Sequence, residues 1–132
     1  MNTIEFRAWN PVSKKMHYGT DVYLSQGPRD YCYSPVMTNG VDVDQILMLY
    51  TNFNDIFKNK IYDKDIINYT VKGSLILGIV YWGNGSWQVV DFKGGNVASL
   101  SKSSSKKVIS NIYEFPNIEL ISPGVLRRLN AL

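Results

Sequence analysis

From residue 65 to residue 92 the chain alternates apolar and polar side chains with the period of a β-strand, and it breaks that rhythm only at short turn sequences. Ile67, Tyr69 and Val71 fall on one face of the first run, with Asn68 and Thr70 on the other. Lys72-Gly73-Ser74 turns the chain into a second run, 75–82, dominated by β-branched and aromatic residues. Gly83-Asn84-Gly85 turns it again into 87–92, because glycine and asparagine accept positive φ at little cost. Gly78, inside the second run, predicts a bulge or a point of sharp coiling. Strands joined by turns this short, with large apolar side chains on both faces, predict a small, strongly bent antiparallel sheet. A small SH3-like barrel is the economical closure, since it removes exposed edges. An open sheet covered by a terminal helix is the alternative.

The flanking segments extend this mainly β reading. Ile4, Phe6 and Ala8 alternate with Glu5, Arg7 and Trp9, Asn10-Pro11 ends that strand, and residues 16–18 return after a turn. Residues 19–40 hold glycines, prolines and the cluster Tyr31, Cys32 and Tyr33, and read as irregular chain or short edge pairing. Residues 46–51 form a compact apolar strand, and the polar 52–59 segment allows one helical turn around 55–58. The run Ser-Lys-Ser-Ser-Ser-Lys-Lys at 101–107 reads as a flexible loop, and structure resumes at 108–113. Ser122 and Pro123 open a short C-terminal helix whose Val125, Leu129 and Leu132 share a face, while Arg127, Arg128 and Asn130 look outward. A helix this short needs the sheet for support, so its apolar face must dock there. The expected organisation is one domain over 1–132: an N-terminal β hairpin extension over 1–45, then a barrel-like core with its C-terminal segment over 46–132.

Composition narrows the functional classes. A hydrophobic fraction of 45% with 19% charged residues is that of a packed globular chain, which argues against global disorder. The net charge of +3 comes from scattered lysines and arginines without a long basic run, so charge permits nucleic-acid contact without favouring it. The single cysteine, Cys32, suits a reducing compartment. The first ten residues lack the apolar segment of a signal peptide and no stretch is long enough to span a bilayer, so the expected location is a cytoplasm.

The chemistry-bearing residues form no catalytic, cofactor or metal motif, and the chain reads as a non-enzyme. His17 and Cys32 are the sole members of their types, and a nucleophile pair would need both in contact with an orienting group such as Asp21 or Asp30. Asp42 with Asp44, and Asp63 with Asp65, lack the spaced oxygens and glycine of a calcium loop. Gly83-Asn84-Gly85 and Gly94-Gly95 join strand to strand, whereas phosphate loops open a helix. Asp91, near Trp87 and Phe92, sits beside a turn where solvation outweighs tuning of its pKa. Binding is the better reading: edge strands and surplus tyrosines are interface material for a protein partner, itself or a host factor. For nucleic acid, Lys58, Lys60, Lys64, Lys72 and Lys93 are the candidate phosphate contacts beside exposed rings. Against this, Tyr69, Tyr81, Trp82 and Trp87 also suit a core. No small-molecule substrate or membrane is implied.

Four segments in order resemble the YopX family of bacteriophage and prophage proteins: Ile4 to Asn10 with Lys15-Met16; Leu47 to Thr51 running on to Ile67; the hairpin from Gly78 through Trp82 and Trp87 to Val90; and Val108 to Pro116. The resemblance implies a small, mostly β, phage-encoded accessory factor of the host bacterial cytoplasm. It brings no established biochemical activity and no defined functional residues. The family favours glycine where Asn52, Lys64 and Ser110 stand, so it implies left-handed backbone at these positions, which asparagine tolerates best.

Overall fold

The computed structural model describes residues 4–18, 22–26, 33–37, 45–95 and 97–130. The chain forms two compact units, Met1–Tyr50 and Thr51–Leu132, so the division falls inside a strand that passes from one to the other.

In the first unit β1 (Phe6–Asn10) pairs antiparallel with β2 (Lys15–Tyr18), placing Ala8 opposite His17. Asn10 sets the turn between them: its Oδ1 accepts the N–H groups of Val12 and Ser13 at 2.9 and 3.1 Å. Its carbonyl accepts the Lys14 N–H, with Lys14 at a φ of 60°. The 19–40 region contains β3 (Val22–Gln26) paired with β4 (Tyr33–Met37), the edge-pairing outcome; Tyr31 and Cys32 lie outside the described residues. The first half of β5 (Ile46–Asn54) runs along the other side of β1, from Trp9 opposite Ile46 to Phe6 opposite Leu49. Among the described residues of this unit Ala8, Trp9 and Met48 are buried apolar side chains.

The second unit continues from the end of β5 into β6 (Lys60–Tyr62), tied by the Thr51 hydroxyl, which donates to the Ile61 carbonyl at 2.7 Å. Then come β7 (Asp65–Val71), β8 (Ser74–Gly83), β9 (Ser86–Asp91), β10 (Val97–Ser99) and β11 (Ser104–Asn111). They form one antiparallel sheet in the order β10-β9-β8-β7-β11, curled into a half-barrel. The meander read from the sequence is its centre. Both hairpin turns carry the positive φ that two-residue connections demand: Lys72 and Gly73 at 49° and 82°, Asn84 and Gly85 at 52° and 78°.

Strand alternation sorts this sheet into two packed faces. Ile66, Ile79, Tyr81, Val90 and Phe92 build one, covered by Ile121 and by α1 (Pro123–Asn130) through Val125 and Leu129. Ser122 precedes the helix, with its N–H on the Phe92 carbonyl at 2.7 Å and its own carbonyl accepting from Val125 and Leu126. Leu132 lies outside the described residues. Ile67, Tyr69, Val80 and Val89 build the other face, closed by Ile61, Phe53 and Leu100. Burying each such aliphatic side chain is worth about 1.5–3 kcal/mol, and here both sides of every central strand contribute.

Three readings are corrected in this unit. Gly78 is no bulge, since it pairs in unbroken register with Ile67 and Asp91. A glycine is needed because a Cβ there would meet Val89 Cγ1 at 2.6 Å, and Tyr69 Cε1 and the Val90 carbonyl at 2.9 Å. The bulges are in β11, where the register shifts between Ser104 and Lys107 and between Val108 and Ser110. Residues 101–107 are mostly a 3-10 turn (Leu100–Lys102) and the start of β11, held by pairing with β7 rather than left as a free loop. Trp82, a candidate core residue, is 51% exposed, because it stands where the β8–β9 hairpin runs out past its cover.

Candidate interaction surface

The five lysines singled out from the sequence occupy separate places. Lys58 is at a φ of 66° in the turn after β5, with its N–H on the Asp55 carbonyl at 3.0 Å. Lys60 opens β6. Lys64 precedes β7 at a φ of 68°, its ammonium 3.0 Å from the Asp63 carboxylate, and Lys72 follows the same strand. Seven residues of strand put roughly 23 Å between those two. Lys93 is exposed beside the turn after β9. Lys72 and Lys93 share the end of the sheet where β8 begins, and Lys64 lies at the other.

The carboxylates work as turn acceptors. Asp65 is buried and takes the Tyr62 N–H at 2.7 Å, closing the β6–β7 connection. Asp91 Oδ1 takes the Gly95 N–H at 2.9 Å. Asp55, which sequence reasoning passed over, receives four donors: Phe57 N–H and Asn59 N–H on Oδ1, and Asn59 Nδ2 and Val108 N–H on Oδ2. Burial alone would raise its pKa, but these hydrogen bonds from Val108, Asn59 and Phe57 hold it below 3.8. His17 is half-buried in β2, and Cys32, Asp42 and Asp44 lie outside the described residues. Among the described residues no three His, Cys, Asp or Glu side chains gather as a metal would require.

The turn pinned by Asp55 lies along the outer edge of β11, where the Ile56 N–H donates to the Lys106 carbonyl at 2.9 Å. It presents Ile56 and Phe57, 59% and 62% exposed, at its tip. Lys107 Nζ sits 5.6 Å from the centre of the Phe57 ring, and Lys106 Nζ 5.9 Å from that of Phe53. Lys106 also donates to the Ser103 carbonyl at 2.9 Å, and burial lowers its pKa. No sequence signal marked this grouping, because it joins residues 53–58 to residues 103–108 through the Ile56–Lys106 and Val108–Asp55 hydrogen bonds, between segments some fifty residues apart.

A second exposed aromatic group stands at the β8–β9 hairpin. Trp82 and Trp87 face each other across the two strands, ring centres 5.2 Å apart and 76° inclined, an edge-to-face contact. Trp87 is partly buried against the core cluster of that face, while Trp82 is 51% exposed. On the opposite face Arg128 of α1 stacks 5.6 Å from the Tyr81 ring, whose hydroxyl donates to Gln88 Oε1 at 2.9 Å. Tyr81 is thereby a structural pin, and Trp82 the free aromatic of the hairpin.

A family model described as YopX protein matches residues 5–120. Two solved structures are similar over 89% of this chain: protein yopX from Bacillus subtilis, at 22% identity, a TM-score of 0.58 and 98% of that chain, and protein EF1440 from Enterococcus faecalis, at 19% identity, a TM-score of 0.57 and 99% of that chain. At these identities the likeness is one of fold. No curated protein matches the sequence.

Proposed function

The chain belongs to the YopX family, and we propose that it is a non-catalytic, phage- or prophage-encoded accessory protein that works by protein contact in the host bacterial cytoplasm. The observation that carries this reading is Trp82: a large ring, half exposed, set edge-to-face against Trp87 at the end of a hairpin. A pre-oriented tryptophan costs little further entropy to dock, and such residues dominate binding energy where they are covered. The partner is a second copy of the chain or a host protein. No helix among the described residues is long and apolar enough to cross a membrane.

Light scattering and affinity capture from bacterial lysate test this together. Self-association, or a captured protein that is lost with Trp82→Glu while the variant melts as wild type does, supports it. A monomer that captures nothing contradicts it.

Nucleic-acid contact through Lys58, Lys60, Lys64, Lys72 and Lys93 as one set is served less well. Lys64 and Lys72 stand at opposite ends of β7, and Lys64 is paired with Asp63.

A further inference from the structure

The edge of β11 carries a different combination. Between Thr51 and Leu132 ten lysines and arginines accompany six carboxylates, and the serine-lysine run holds none of the six. Asp63, Asp65 and Glu114 collect where β7 begins and β11 ends. At the other end of β11 the run from Ser101 to Lys107 contains only serines and lysines. The 3-10 turn and the β7 pairing fold that run so that Lys106 and Lys107 flank Phe53 and Phe57, with Lys58 next in the pinned turn. The nearest carboxylate, Asp55, is buried and consumed by its four donors.

We propose that this edge, formed by Phe57, Lys58, Lys106 and Lys107 with the serine-lysine run behind them, binds single-stranded nucleic acid. Phe57 offers an exposed ring on a turn pinned by Asp55, and such a ring can stack only on a base that is not already stacked in a duplex. Lys107 holds its ammonium beside that same ring, so a phosphate and the base attached to it are met by neighbouring groups. Lys106 has a partly desolvated ammonium, which an anion would stabilise. No acidic side chain in the run repels a phosphate. The contact is short, a few nucleotides long, and electrostatic in most of its strength. It uses a surface separate from Trp82 and does not rest on the protein-contact reading.

Fluorescence anisotropy of labelled oligothymidylate and oligouridylate, each about 15 nucleotides long, tests it on the full chain across a salt series. Binding is expected at low salt, weakening with a log–log slope of about −2 for three lysine–phosphate contacts. Lys58→Glu with Lys107→Glu should weaken it at least about tenfold and flatten the slope. Phe57→Leu, which keeps apolar bulk on the tip, should weaken it about tenfold with the slope unchanged. Trp82→Glu should bind as wild type does, so failure here and failure of the protein-contact reading are separable. Absence of binding at low salt overturns the proposal, as does equal binding by variants whose melting confirms folding. If polyglutamate displaces the oligonucleotide at equal charge and Phe57→Leu changes nothing, the edge is a general polyanion surface suited to an acidic protein, and the proposal also falls.

Discussion

Tyr69 carries a hydroxyl into the sheet interior at 1% exposure, and it meets no hydrogen-bond partner among the described residues. Burial, and then the negative charge of Asp91, push its pKa above 10.0, so the group is a neutral phenol throughout the stable range. An unsatisfied hydroxyl subtracts from stability, whereas its ring packs on Gly78. Tyr69→Phe should therefore leave chemical denaturation unchanged or raise stability by up to about 1 kcal/mol. Gly78→Ala should lower it by about 1–3 kcal/mol, because two of the three atoms it meets are carbons of packed side chains and the third is backbone oxygen. The left-handed residues were legible in part. Asn52 and Lys64 both lie at a φ of 68°, as the family's glycines implied, while Ser110 is not among the left-handed residues and follows a register shift in β11 instead. Lys72 is a further left-handed lysine in a two-residue hairpin. Lys72→Asn should raise the melting temperature, with a gain of about 0.5 kcal/mol, since asparagine adopts this conformation at lower cost.

At the scale of elements, the Asp55 turn blunts the edge of β11 by filling its outward hydrogen-bonding positions at Lys106 and Val108. Asp55→Ala would strand the partly buried Val108 N–H and release the Phe57 tip, at a cost of about 1–3 kcal/mol in urea unfolding. The same carboxylate gives a pH dependence of defined sign. Its folded pKa lies below 3.8, so its contribution is complete above that unfolded value and is lost as pH falls through the folded one. Acid unfolding of Asp55→Asn should be less steep than that of wild type below about pH 4. None of this was visible in the chain, because Asp55 and Val108 are 53 residues apart and nothing in a serine-lysine run announces a strand. The helix was visible, since Ser122, Pro123 and the Val125–Leu129 spacing are local signals. Its docking is tested by Leu129→Ala, which should cost about 3 kcal/mol and uncover Ile79 and Val90.

On the scale of the whole molecule, the sequence and the structure agree where information is local. The meander from β7 to β9 follows from side-chain alternation and turn chemistry, both carried by adjacent residues. What alternation cannot tell is which stretch of a face is covered, because the cover comes from β6, the 3-10 turn and α1, at other places in the chain. The sequence therefore left Trp82 between surface and core and did not single out Phe57, and the fold exposes both. The sheet of Thr51–Leu132 is packed on both faces, with Ile66, Ile79, Tyr81 and Val90 filling one and Ile67, Tyr69, Val80 and Val89 the other. Native-state amide hydrogen exchange is the most direct test. Both-sided burial predicts that the amides of Ile66, Ile67, Ile79, Val80, Val89 and Val90 exchange together, with a free energy equal to that of global unfolding. Independent, faster exchange at Ile67, Val80 and Val89 would mean that the face lined by Tyr69 opens on its own, and would contradict it.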